Sequence, residues 1–274
     1  MSTAARLRQR LSQREILVAP GIYDALGAAI AERAGFEALF VSGSALAAAH
    51  LGRPDIGLLS LPETTEIVAR IADRVDIPLF VDADQGGGNA YAVARHVRML
   101  ERSGAAGIQI EDQCEIKPAS EPLSRPLIST EDMVGKIKAA KDACQSETVI
   151  SARSDAASNE GVGAAIERAL AYVEAGADMI FVESLTKRSD MERLIAAIDG
   201  KVPVLHNLLR PTDEVCDAAT LQQLGYSVAL FPAPALRAAG DAIAAAFGEL
   251  RQNPAIQPNG APTDHIASGD FLKK

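Results

Sequence analysis

The chain has 274 residues, 48% of them hydrophobic, so it can bury a large core, and a barrel of about 250 residues commonly forms one domain. Its formal charge of -9 and the lack of any Lys/Arg run argue against nucleic acid or an anionic membrane as partner, since both reward clustered positive charge. Small molecules remain, and an anionic substrate would need a metal ion or a few placed arginines to offset the repulsion locally.

The first residues, MSTAARLRQRLSQREIL, hold no apolar core of signal-peptide length, and no stretch approaches the roughly 18 uninterrupted apolar residues of a membrane span. Short β-rich runs then recur: ILVAPG, EALFVSGS, IPLFVDAD, AGIQIED, TVISARSD, DMIFVES, PVLHNL and SVALFPA. Helix-like segments such as YDALGAAIAERAG, AYAVARHVRMLERSG and AAIERALAYVEAGA alternate with them, apolar at i, i+3, i+4 and i+7 with a glycine near the C-terminal end. Eight such alternations predict a parallel sheet covered on its outside, most economically a closed (β/α)8 barrel over residues 1–250. The rival, a doubly wound open sheet, would usually carry a Gly-rich dinucleotide turn after its first strand, and PGIYDALG is not G-x-G-x-x-G. No interdomain linker is visible, and residues 251–274 read as a polar, Pro/Gly/Asn-rich tail. Cys114, Cys144 and Cys216 form no CxxC pair, which suggests neither a disulfide framework nor a zinc site and fits a reducing cytoplasm.

In such a barrel the C-terminal strand tips share one mouth. The tips read Ser42, Gly43 and Ser44; Asp82 and Asp84; Glu111 and Asp112; Arg153 and Asp155; Glu183; and Asn207. A lone aspartate at a strand end is most often a helix cap or turn residue. Several carboxylates converging on one mouth are different, because each unpaired anion raises the cost of the next. A hard divalent cation resolves the repulsion, Mg2+ being expected and Mn2+ the alternative. Asp82 and Asp84 stand one residue apart, so an extended strand would point both to one face, with Glu111 as third partner and Asp55 available to the outer shell. Gly86 to Gly88 read either as a close-approach surface for substrate or as a turn before a helix at Asn89. The segment 112–129 lacks a regular period and is longer than ordinary connections, which suggests a lid.

In order along about the first 230 residues stand PGIYDALGA, VSGSALAA, GRPDIGLLSLPE, VDADQGGGN, QIEDQ, SARSDA, FVES and HNL. With these motifs the chain resembles the isocitrate lyase/phosphoenolpyruvate mutase superfamily. The resemblance implies a (β/α)8 barrel that binds Mg2+ and 2-oxo or 2-hydroxy carboxylates and stabilises an enolate-like intermediate. It also implies a homotetramer whose C-terminal helix is exchanged between subunits. By matching position it assigns Asp82, Asp84 and Glu111 to the metal with Asp55 beside it, Ser42, Gly43 and Ser44 to a carboxylate, and Arg153 to an anionic oxygen. Glu183 and Asn207 would contact the acid portion of the substrate. Read from the residues alone, the alternatives are an ion pair with Asp155 or Glu183 for Arg153, a helix cap for Glu183 and a loop contact for Asn207.

The lid departs from the family pattern. Where carbon–carbon lyases of this group carry K-x-C-G-H with cysteine as catalytic acid, this chain has Lys117, Ala119 and Glu121. Lys117 and Glu121 are then the catalytic candidates beside Arg153. Cys114 lies five residues before Ala119 and reads as a bystander, and His206 reads as a packed strand-end histidine. The expected activity is Mg2+-dependent cleavage of a C–C bond, by decarboxylation or a retro-aldol step, in a small 2-oxo or 2-hydroxy di- or tricarboxylic acid such as oxaloacetate. The alternatives are P–C chemistry on phosphonopyruvate and a non-catalytic, metal-dependent binder of 2-oxo acids.

Overall fold

Eight parallel strands pair in chain order and the eighth closes on the first: β1 (Leu17–Ile22), β2 (Leu39–Val41), β3 (Leu79–Asp82), β4 (Ala105–Glu111), β5 (Val149–Ser154), β6 (Met179–Val182), β7 (Val204–Asn207) and β8 (Val228–Phe231). The closing register sets Leu17 opposite Val228 and Pro20 opposite Phe231. These coordinates are a computed structural model that describes residues 1–114, 126–209, 212 and 214–255. All eight strands expected from the sequence form as short apolar runs, and β2, β4 and β6 are buried along their whole length, as a covered parallel sheet requires.

Alternate residues point inward, and Phe40, Phe80, Val149, Phe181, Leu205 and Leu230 help fill the barrel. The bottom is closed by an element the sequence reading did not assign. Helix α1 (Thr3–Leu11), capped by Ser2, adds Ala4, Leu7 and Leu11 to that interior cluster. Burying the two leucines contributes about 1.5–3 kcal/mol each. Arg8 fastens the plug, reaching the carbonyls of Glu147 (2.6 Å) and Thr148 (3.0 Å) and the Asp178 carboxylate (2.9 Å).

The outer layer consists of α2 (Ala25–Arg33), α3 (Gly43–Leu46) running into a π-turn (Ala47–Leu51), α4 (Leu61–Arg74), α5 (Ala90–Arg102), α6 (Thr130–Ala143), α7 (Ala156–Asn159), α8 (Val162–Glu174), α9 (Arg188–Ile198), α10 (Ala218–Leu224) and α11 (Pro234–Gln252). Local chemistry sets their ends. Asp24 caps α2 through Gly27 N–H, and Ser60 and Glu63 cap each other at the head of α4. The glycines expected at helix ends include Gly104 after α5 and Gly176 after α8, both with φ near +100°, where a side chain would be strained.

Helix α11 stands apart. None of its residues is buried, and Ile243, Phe247 and Leu250, spaced to share one face, are 53%, 67% and 52% exposed. The helix runs two residues beyond the expected barrel boundary at 250, and residues 256–274 lie outside the described residues. No described helix is long and apolar enough to cross a membrane.

Candidate active site

At the C-terminal end of the barrel, single oxygens from Asp82, Asp84 and Glu111 lie within 4.8 Å of one another. The aspartates share a side by a route other than strand alternation. Strand β3 stops at Asp82, and the backbone turns so that Asp84 takes a left-handed φ of +48°. Its N–H donates to Asp82 Oδ1 (3.3 Å), while its carbonyl accepts Glu111 N–H (2.9 Å), which straps the turn to β4. An all-oxygen set this close suits Mg2+, which uses a few carboxylates and completes its octahedron with water or ligand. Asp55, half-buried in the loop before α4, is not among the converging oxygens.

The three glycines that follow form a turn, and a Cβ on Gly86 would lie 2.7 Å from Val93 Cγ2. Gly86, Gly87 and Gly88 all have positive φ (+72°, +79° and +109°), and a Cβ on Gly87 would lie 1.9 Å from His96 Cε1 on α5. The chain does turn here into the helix, and Asn89 Oδ1 caps α5 by accepting from Tyr91 and Ala92. Lys136, only 4% exposed, donates its Nζ to the Gln85 carbonyl of this turn (3.0 Å). Sequence reasoning missed it, although its place on the apolar stripe Met133–Ile137–Ala140 of α6 was the available signal.

On the neighbouring strands, Arg153 Nε and Nη2 donate to both oxygens of Asp155 at 2.9 Å. Glu111 Oε2 is 3.4 Å and Glu183 Oε2 3.6 Å from the same guanidinium, which lies 5.3 Å over the Phe181 ring. Burial works against its charge, but Asp155, Glu111 and Glu183 outweigh burial and raise its pKa well above the usual arginine value. Asn207 Nδ2 donates to Glu183 Oε2 (2.8 Å), so Glu183, Asn207 and Arg153 form one connected group, and neither a helix cap nor a loop contact describes Glu183 and Asn207. The ion pair of Arg153 with Asp155 foreseen as an alternative is present, and it fixes the guanidinium beside the acidic cluster.

Ser42 is buried and caps α3 through Ala45 N–H, with Ser44 Oγ 3.2 Å from its hydroxyl. A Cβ on Gly43 would stand 3.2 Å from Asp82 Oδ2, so these three residues border the carboxylate cluster. Asp112 turns the opposite way, into the layer beneath α8. There it accepts from Ser154 Oγ (2.7 Å), Tyr172 OH (2.8 Å) and Asp155 N–H (2.9 Å), with Arg168 at 3.6 Å. Burial raises its pKa despite those hydrogen bonds.

The ends of the expected lid are laced together. Gln113 bridges Leu127, Cys114 N–H donates to Pro126 O (2.8 Å), and Ile128 N–H donates to Asp112 O (2.9 Å). Lys117 and Glu121, the expected lid residues, lie outside the described residues, as does Ala119. His206 is packed as expected: buried, 5.7 Å from the Tyr226 ring, its pKa pulled down by burial to about 4. A cleft of about 410 Å3 opens at the other end of the barrel, between α1 and α9. Barrel enzymes work at the end where the carboxylates gather.

Comparison with known proteins agrees with this geometry. The model of the family described as phosphoenolpyruvate phosphomutase matches residues 7–251. A 2,3-dimethylmalate lyase of Eubacterium barkeri is 39% identical over 267 residues, covering 92% of this chain and 88% of its own. A 2-methylisocitrate lyase of Aeropyrum pernix is 43% identical over 233 residues, covering 85% and 74%. The crystal structure of a phosphonopyruvate hydrolase in complex with oxalate and Mg2+ superposes with a TM-score of 0.89 at 29% identity, covering 99% of this chain and 95% of that one. The chain therefore belongs to the phosphoenolpyruvate mutase/isocitrate lyase superfamily and is an enzyme.

Proposed function

We propose that the protein is a Mg2+-dependent lyase that breaks a C–C bond in a small 2-oxo or 2-hydroxy di- or tricarboxylic acid through an enolate-like intermediate. The observation that carries this reading is the charge at the mouth: Glu111, Asp155 and Glu183 lie around the guanidinium of Arg153, and Asp82 and Asp84 converge on Glu111. A site so negative repels a carboxylic acid unless a cation joins it. Asp82, Asp84 and Glu111 would hold that ion, with Asp55 in its outer shell; Mn2+ has similar requirements and would substitute. When bound, the ion supplies a Lewis acid that lowers the energy of negative charge on oxygen.

The protein's own groups do the rest. Hydroxyls of Ser42 and Ser44, beside Gly43, hold one carboxylate of the substrate. Arg153, locked by Asp155, meets negative charge as it develops without reorganising, which is where fixed electrostatics contributes most. Glu183 and Asn207 orient the remaining acid group, and Lys117 and Glu121 deliver or hold the proton on the side of the loop. With Ala119 in place of the acid cysteine, an oxaloacetate-like decarboxylation is favoured, because loss of CO2 leaves an enolate that solvent can protonate.

The test is proton and phosphorus NMR of the protein with Mg2+ and oxaloacetate, methylisocitrate, dimethylmalate and phosphonopyruvate, beside an Asp82→Ala control. Product from one carboxylic acid, dependent on Asp82, is expected. Product from phosphonopyruvate alone would establish the second reading, P–C cleavage, which the phosphonopyruvate hydrolase neighbour favours. Tight binding of a 2-oxo acid with no product from any would leave the non-catalytic binder. The apolar stripe Ile243, Phe247 and Leu250 on α11 supports a homotetramer in which this helix packs on a neighbouring barrel. The three free thiols suit a reducing compartment such as the cytoplasm.

A further inference from the structure

On β4 the inward positions are Gly107, whose Cβ would meet Phe80 and Leu7, then Gln109, then Glu111. Gln109 is 1% exposed, and neither its amide nitrogen nor its amide oxygen has a hydrogen-bond partner. In register with it on β5 is Ser151, fully buried, whose hydroxyl also has none. On the other side Gln109 is in register with Asp82 of the carboxylate cluster. Paired strands run about 4.8 Å apart, so Gln109 stands one strand spacing from Asp82 and one from Ser151. Directly above this pair, two residues on in each strand, are Glu111 and Arg153.

A buried amide left unmatched costs about 1–3 kcal/mol. Folded proteins seldom keep such a group unless something completes it. Several other polar side chains at this end of the barrel are matched within the protein: Arg153 with Asp155, Asn207 with Glu183, Ser42 with Ser44. We infer that Gln109 and Ser151 form a neutral, hydrogen-bonding floor of the active site that contacts the substrate, their N–H and O–H donors holding an oxygen of the acid at the end that points into the barrel. The ligand class is then an acid with a hydroxyl, oxo or carboxylate oxygen at that end, and an alkyl group there is rejected because the amide would stay unmatched. The inference rests on the mouth being a carboxylic-acid site.

The test compares wild type with Gln109→Met and Ser151→Ala, using calorimetry of oxalate binding with saturating Mg2+, Mg2+ binding alone, and melting without ligand. Oxalate should bind at least about tenfold more weakly to Gln109→Met and about threefold more weakly to Ser151→Ala, with Mg2+ affinity unchanged. The unliganded melting temperature of Gln109→Met should hold or rise, because methionine fills the same space without an unmatched amide. Unchanged oxalate affinity in the two variants overturns the inference, most clearly if Gln109→Met also melts lower, since internal water would then already complete the amide. Should Gln109→Met fail to fold, Ser151→Ala alone decides. Wild type that binds Mg2+ but no oxalate would bring down the carboxylic-acid reading itself, and this inference with it.

Discussion

The carboxylate of Asp112 accepts the backbone N–H of Asp155 at 2.9 Å, and Asp155 in turn grips Arg153 with both oxygens. The corner that presents Arg153 to the mouth is thus fastened from behind by a buried anion, which Tyr172 and Ser154 satisfy. Tyr172→Phe removes one of those donors and should destabilise the protein by about 1–3 kcal/mol. Melting should fall by about 2–4 °C for each kcal/mol, and an unchanged melting point would mean that Asp112 is satisfied without the tyrosine.

Asp84 combines a charge with a left-handed backbone, and two substitutions separate these roles. Asn tolerates φ of +48° better than other side chains, so Asp84→Asn should keep the turn and weaken Mg2+ binding at least about tenfold, or 1.4 kcal/mol. Asp84→Ala should show the same loss plus about 1–2 kcal/mol of strain, visible as a lower melting temperature. Calorimetry of Mg2+ with both variants checks this, and equal Mg2+ affinity in Asp84→Asn and wild type would remove Asp84 from the metal set.

How far the sequence carries can be judged at these same residues. The barrel was legible because each strand is a short apolar run whose polar residues appear only at the tip, and that rule also collected Asp82, Glu111, Arg153, Glu183 and Asn207 at one end. What strand periodicity misjudged was local. It extended β3 through Asp84, although the chain turns left-handed there, and it offered no reason to look at Gln109, whose meaning depends on what stands opposite it on β3 and β5. Helix α1 was passed over because its leucines are few and lie between arginines. Arg8 bonds to a carbonyl and a carboxylate far along the chain and Arg10 to the Glu37 carboxylate 27 residues on, partnerships that no local window contains.

His206 sets a pH dependence unrelated to the mouth. Its folded pKa of about 4 lies below the ordinary 6.5, so the unfolded chain binds the extra proton first as pH falls. Stability from the neutral imidazole is complete above about pH 6.5 and is lost between there and pH 4, by about 3 kcal/mol at most. Replacing it by leucine should flatten the melting temperature across that window relative to wild type. Parallel melting curves for the two proteins would show that another group controls acid unfolding.

Phe247 is two-thirds exposed on a helix with no buried residue, so Phe247→Asp should leave the barrel intact. If α11 packs on a neighbour, the substitution places an unpaired charge in that interface and should lower the assembled mass in analytical ultracentrifugation at unchanged helix content. The same sedimentation for both proteins would count against helix exchange.

The plug formed by α1 bears on how the molecule is made. Arg8 bonds to groups 139, 140 and 170 positions further on, so this helix must wait for those later residues to emerge before its acceptors exist. Until then Leu7 and Leu11 have no barrel to enter and are exposed to whatever binds nascent apolar segments. The lower end of this barrel is therefore expected to seal only after the segments leading into β5 and β6 have emerged, since both meet one arginine.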